Sequence, residues 1–259
     1  MPPCWVIMDT SGAVELLRAV CADYVFEPIA IYKAGGTHNW PLVAGDEDQL
    51  AAVLADGGHF LPLPKEPAAL ANVVEVAVVD FLIERLAGRS VELVRGTERG
   101  YPDIEMSVGN RHFAVDVKVA RRALNKKGVP TGRTDSRITL YTGNTFFMYP
   151  TLKWPGTFRA FADYEGHVDL ICLYTLDTES VTRVRDFELI VAEPWRIASK
   201  QRSSTTREYL GAVDDISRIR NETGEFASAA EFYKFWRGHS WKIGKAVQKQ
   251  LQKLLAAAS

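Results

Sequence analysis

Apolar residues recur along this chain with two periods, and the switches between them mark the expected elements. Val14 to Tyr24 and Gln49 to Ala55 carry helical spacing. Gly35-Gly36 and Pro41 mark loops, and Pro62 and Pro64 hold the following segment extended. Pro67 suits the first turn of a helix running to about Leu86, with Leu70, Val74, Ala77, Phe81 and Leu82 as its apolar stripe. Arg89 to Val94, Val168 to Leu176 and Arg185 to Ala192 read as strands, the second of them central in a sheet. Ser228-Ala229-Ala230-Glu231 is a capping box that opens a helix carrying Phe232, Phe235 and Trp236 into the core. A last helix places Ile243, Val247, Leu251 and Leu254 on one face, with Lys242, Lys245, Lys249 and Lys253 around it on a solvated one. Helices and strands in this order predict an α/β fold, as one large domain or a main domain with a small lobe.

The stretch from Tyr101 to Lys118 changes the picture from fold to chemistry. Gly109-Asn110 is a two-residue hairpin turn, because both residue types tolerate positive φ. A turn there pairs Val108 with Arg111 and, counting outward, Asp103 with Asp116. Directly opposed side chains have Cβ atoms about 4.5–5.5 Å apart, close enough for two carboxylates to grip one hard cation. Side chains alternate faces, so Lys118 shares the face of Asp116 while Val115 and Val117 point into the core. The bland reading is a surface hairpin with an Asp–Lys ion pair. Glu75 sits just off the apolar stripe of its helix. It is either a boundary residue with its head in water or a functional acid held near the other carboxylates.

Composition narrows the partners. The 259 residues are 47% hydrophobic, enough for one substantial core. No apolar run reaches membrane-spanning length, and the start lacks the basic and apolar regions of a signal peptide. Three scattered cysteines, Cys4, Cys21 and Cys172, have no metal-type spacing and suit buried roles in a reduced, cytoplasmic protein. A net charge of −1 excludes a chromatin-type polycation. A local basic cleft remains open, since Arg111, Lys118, Arg121, Arg122, Lys126, Lys127, Arg133 and Arg137 fall in one stretch opposed only by Asp116 and Asp135. Residues 120–136 read as a basic loop that orders on contact with a partner. Residues 199–208 read as a second polar, basic loop.

A phosphodiester is anionic and resists attack; its hydrolysis calls for a cation on the phosphoryl oxygen and an activated water. Asp103 and Asp116 supply two hard oxygen ligands of the kind Mg²⁺ takes. Lys118 is placed to position or deprotonate the water, or to offset charge on the pentavalent phosphorus. Two carboxylates this close repel, so at least one has a raised pKa without metal. Walker loops, H-E-x-x-H, G-x-G-x-x-G and G-x-S-x-G are all absent. The five histidines, His38, His59, His112, His167 and His239, have no ligand spacing and read as structural.

Pro102-Asp103 followed by Asp116-Val117-Lys118 resembles the PD-(D/E)xK motif, and from about Gly57 to Gly238 the chain resembles the EcoRV family of type II restriction endonucleases. The agreement runs in order through Phe60-Leu61-Pro62-Leu63, Val73-Val74-Glu75, Tyr101-Pro102-Asp103, Ile138-Thr139-Leu140, Pro194-Trp195, Thr205-Thr206, Glu231-Phe232 and Phe235-Trp236-Arg237. The resemblance implies an α/β, restriction-endonuclease-like fold, a central mixed sheet flanked by helices with a DNA-binding cleft, over 57–259. Residues 1–56 are then an N-terminal region that could serve dimerisation. It implies that Glu75, Asp103, Asp116 and Lys118 are catalytic, with Asp103, Asp116 and Glu75 holding Mg²⁺, and with Mn²⁺ as a substitute ion. It implies DNA contacts from Arg95, Thr97 and Arg99 near the minor groove, and from Arg121, Thr139, Lys200, Arg202, Ser203, Ser204, Thr205, Thr206 and Arg207. The last five fall on the loop that reads base edges. It further implies a homodimer on palindromic double-stranded DNA, blunt cutting, and pairing with a cognate DNA methyltransferase.

The recognition loop departs from the family pattern in carrying Arg207 and Glu208, and Val119 and Ala120 replace polar residues after the lysine, so a different recognition site is expected. Arginine reads guanine O6 and N7, which points Arg207 at a G·C pair. The alternatives are a repair or nicking nuclease of the same superfamily and a catalytically silent DNA-binding protein. A small-molecule hydrolase has no visible nucleophile.

Overall fold

The computed structural model describes residues 8–26, 46–55, 66–97, 100–141, 144–180, 183–201, 210–239 and 243–258. Three helices come first: α1 (Thr10–Cys21), α2 (Glu47–Ala55) and α3 (Pro67–Leu86). Strands β1 (Glu92–Arg95), β2 (Ile104–Val108), β3 (Arg111–Leu124) and β4 (Pro130–Ile138) follow. A short helix α4 (Asn144–Met148) leads to β5 (Gly166–Leu176) and β6 (Val184–Ala192). Helix α5 (Pro194–Ile197), strand β7 (Val213–Asp215) and helices α6 (Ile216–Asn221), α7 (Ala229–Arg237) and α8 (Lys245–Ala258) complete the order.

The seven strands form one mixed sheet. Its inner part runs β1-β2-β3-β5-β6, with β3 and β5 parallel and the other pairs antiparallel, while β4 and β7 continue from the outer half of β3. Alternation along β3 divides the protein into two cores. Phe113, Val115 and Val117 join α1, α3 and the like-facing residues of β2 and β5 in one cluster. Ala114 and Ala120 face the other, which holds Tyr141, Phe147, Phe161, Phe232 and Trp236. Helix α1 is thus part of the sheet's own packing, through Leu17 and Val20. No helix among the described residues is long and apolar enough to cross a membrane.

Most expected elements are present, with shifted ends. Helix α3 is apolar nearly all round, so it buries a broader arc than the stripe read from spacing. Val78, Val79 and Leu86 are buried while Ala77 and Phe81 are half-buried. The capping box of α7 forms only in part. Ser228 Oγ accepts from the Glu231 N–H at 3.2 Å, but the Glu231 carboxylate accepts from Ala227 N–H. In α8 only Leu251 is buried, and Ile243 precedes the helix.

One expectation is overturned. Residues 120–136 are not a loop: β3 continues to Leu124 and turns back as β4. Asn125 Oδ1 accepts from the N–H groups of Lys127 (2.8 Å) and Val129 (3.1 Å), which fixes the turn. This outer hairpin is held largely by charge. Arg121 pairs with Asp135, Arg122 with Glu188 at 2.6 Å and Arg133 with Asp214 at 3.2 Å. Strands held this way lack the apolar alternation that announces a strand.

The segment between β1 and β2 is tied tightly at Gly96. Its N–H donates to the Asp103 carbonyl at 2.7 Å, and a Cβ at Gly96 would lie 2.2 Å from the Pro102 carbonyl oxygen. A side chain there must displace the backbone that carries Asp103. Gly96→Ala is expected to lower stability by about 1–3 kcal/mol, the usual cost of overpacking, measured by urea melts against wild type.

Candidate active site

The hairpin register places the central residues as expected. Ile104 pairs with Val115, Met106 with Phe113 and Val108 with Arg111, so the next residues outward are Asp103 and Asp116. Only Gly109 takes positive φ at the turn (59°), the requirement of a II′ rather than an I′ turn. Strand β2 begins at Ile104, so the Val117 N–H of β3 has no backbone partner in β2. Asp103 fills the gap: its Oδ2 accepts the Val117 N–H at 2.6 Å. The carboxylate is therefore fixed by the backbone of the strand that carries Asp116 and Lys118. Asp116 is buried at 3% exposure, and its Oδ2 accepts a charged hydrogen bond from Lys118 Nζ.

Burial and crowding decide the charge state. Desolvation, then the Asp116 charge and a hydrogen bond with its carboxyl, push Asp103 up to about 8. Glu75 on α3 is half-buried and raised, first by desolvation and then by Asp116, so this helix acid lies within the field of the hairpin pair. Burial alone would lower the Lys118 pKa, but Asp116 and Asp169 outweigh it and the net shift is upward. Lys118 is thus an ammonium. Asp169 on β5 is the group that sequence reading missed. It is the register partner of Asp116 across the parallel β3–β5 pair, is 1% exposed, and is raised first by desolvation. The one signal available was an acid inside the apolar run Val168–Leu176.

Behind Asp103 lies an aromatic wall. Tyr101 Oη meets His167 Nδ1 at 2.8 Å, and the Phe161 ring stacks on His167 with centroids 4.0 Å apart. Burial holds His167 down to about 3, so it stays neutral and structural, as its spacing implied.

A cleft of about 440 Å³ opens beside Lys118, lined by Arg121, Arg137, Asp135, Thr139 and Tyr174 among others. It brings together three of the expected residues: Lys118, Arg121 and Thr139. Other expected contacts have partners within the protein. Arg95 pairs with Asp80 on α3, and Lys200 pairs with Glu231 at 3.0 Å while its N–H donates to Glu225. Thr97 is exposed. Arg99, Arg202, Ser203, Ser204, Thr205, Thr206 and Arg207 lie outside the described residues, as do Cys4, His38 and His59.

Among the described residues, no three of His, Cys, Asp and Glu gather at metal-ligating spacing. The donor chemistry nevertheless fits a hard cation. Two oxygen ligands meet at the strand end, and Asp103 is held above its usual range by burial first and by the neighbouring Asp116 second.

A mixed sheet whose central hairpin ends in two aspartates, with a lysine two residues past the second, defines a restriction-endonuclease-like protein. The chain belongs to the EcoRV restriction endonuclease family: the family model described as Restriction endonuclease EcoRV matches residues 37–256. Membership implies a nuclease acting on DNA, and nucleases of this family generally use divalent metal ions. No curated protein matches the chain in sequence.

The raised carboxylates give a pH dependence of definite sign. Between the ordinary carboxylate pKa and about 8, folded Asp103 holds a proton that the unfolded chain has released. Stability therefore falls as pH rises through that window. In chelator, Asp103→Asn is expected to melt above wild type at pH 8, with the difference shrinking steadily toward pH 4. Thermal melts across that range check it.

Proposed function

We propose that this protein is a type II restriction endonuclease: a homodimer that cuts both strands of double-stranded DNA at a short palindromic site, leaving blunt ends, with Mg²⁺. The observation that carries the reading is the meeting of Asp103, Asp116 and Lys118 at the end of one hairpin, beside a cleft, in a chain of the EcoRV family.

Asp103 and Asp116 would hold the cation, with Glu75 completing the acidic set from α3. A bound Mg²⁺ supplies Lewis acidity at the scissile phosphate and acidifies its water. Asp103 is oriented for this by the Val117 N–H, which fixes one carboxylate oxygen. Lys118 is held cationic by its acidic neighbours, which suits it to offset charge on the pentavalent phosphorus rather than to act as a base. Arg121 and Thr139 line the cleft where the backbone of the duplex would run. Residues 203–207 would read the bases, with Arg207 directed at a G·C pair. A methyltransferase acting on the same sequence would protect the host DNA.

Purified protein incubated with sequenced plasmids and Mg²⁺ is expected to give discrete linear fragments whose ends share one sequence. Asp116→Ala should give none, and Lys118→Ala should cut about 10²–10³-fold more slowly. Nicked circles instead would indicate a nicking or repair nuclease. Intact plasmid with tight DNA binding would indicate a silent binder. Arg207→Ala is expected to relax the site at one position; uniform weakening on all DNA would make Arg207 a phosphate contact.

A further inference from the structure

Asp169 is a carboxylate with no part in the chemistry derived so far. It lies in the middle of an apolar strand, flanked by Val168 and Leu170, at 1% exposure. Its Oδ2 is buried and meets no hydrogen-bond partner. A buried carboxylate oxygen without a partner is costly, so a neighbouring cation is the natural complement. The register identifies which cation is at hand. Asp169 stands directly beside Asp116 on the parallel strand, and Lys118 is two residues further along the same face of β3, opposite Ile171. With strands about 4.8 Å apart and a two-residue rise of roughly 6.6 Å, that diagonal is about 8 Å between backbones, within reach of a long side chain. The Lys118 side chain is 14% exposed, so its ammonium sits inside the protein on this face rather than in solvent.

Lys118 is paired with Asp116, and Asp116 is also a ligand of the cation in the reading above. The two demands fall on the same carboxylate. We propose that Asp169 is the second carboxylate partner of Lys118: when the oxygens of Asp116 are taken by a divalent cation, Asp169 receives the ammonium and keeps it aimed at the scissile phosphate. Asp169 is a positioning residue in this scheme. It touches neither DNA nor metal, and its unpartnered oxygen is the seat left for Lys118. The inference rests on the nuclease reading for its purpose but not for its geometry.

The decisive test has two arms. In crystals of the wild-type protein loaded with Mn²⁺, Lys118 Nζ should lie within hydrogen-bond reach of Asp169, about 2.7–3.2 Å. In solution, Asp169→Asn, which keeps the shape, should slow single-turnover cleavage roughly tenfold to hundredfold. Its Mn²⁺ midpoint by calorimetry and its DNA affinity should stay within about twofold of wild type. Combining it with Lys118→Ala should cost nothing further, because the two residues act as one unit. A purely structural role would instead lower the melting temperature and add to the Lys118→Ala loss. A weakened Mn²⁺ midpoint would make Asp169 a metal ligand and overturn the proposal. So would Lys118 facing away from Asp169 in the loaded crystal. If wild type cuts no DNA, the nuclease reading fails, and the loaded crystal alone still decides the contact.

Discussion

The antiparallel ladder between β2 and β3 ends at Ile104 and Val115, and the place where it ends determines where charge sits in this protein. A ladder one pair longer would give the Val117 N–H a strand carbonyl. Ending where it does, it leaves that donor to the Asp103 side chain. The backbone of one strand thus orients the acid of the other. The same ladder sets the parity of β3. Val115 and Val117 enter the core with α1 and α3, and Asp116 and Lys118 are forced onto the opposite face. A slip of one residue would exchange the two sets, burying the ammonium among valines and turning the valines toward the acids. Packing and chemistry are therefore fixed by one register.

That register also concentrates negative charge. Asp103, Asp116 and Asp169 stand on three neighbouring segments of the sheet on one face, with Lys118 as the cation among them and Glu75 of α3 within the field of Asp116. The hydrophobic surroundings that hold the strands in place remove the water that would screen these charges. The result is a site in which burial raises Glu75, Asp103 and Asp169 above the usual carboxylate range. Marginal stability at such a point is the usual companion of function: the fold tolerates a local conflict because the two apolar clusters on either side over-determine the strands. The aromatic packing around His167, which fixes Tyr101 two residues before Asp103, belongs to that support.

Much of this was legible in the sequence because it depends on local rules. The turn at Gly109-Asn110, the alternation through Val115 and Val117, and the proline that opens α3 each act within a few residues, and each lies where reading placed it. The outer hairpin was not legible, since Arg121, Arg122 and Arg133 find their partners across the sheet in Asp135, Glu188 and Asp214. A run of arginines announces a loop until the acids that neutralise it are known to be neighbours. Asp169 was hidden for the converse reason. One polar residue in an apolar strand looks like noise until the β3–β5 pairing puts it beside Asp116.

The parallel pairing of β3 with β5 also fits the proposed division of labour at the site. Antiparallel β2 supplies an acid at a strand end, half-buried and held by the Val117 N–H. The parallel partner β5 supplies one from mid-strand, where its backbone is paired on both sides and the side chain has little freedom. A ligand to an exchangeable cation needs access, which the end of β2 provides. An anchor for a lysine needs rigidity and exclusion of water, which the centre of β5 provides. The two kinds of strand neighbour around Asp116 thus offer the two kinds of carboxylate that hydrolysis of a phosphodiester by this site would require.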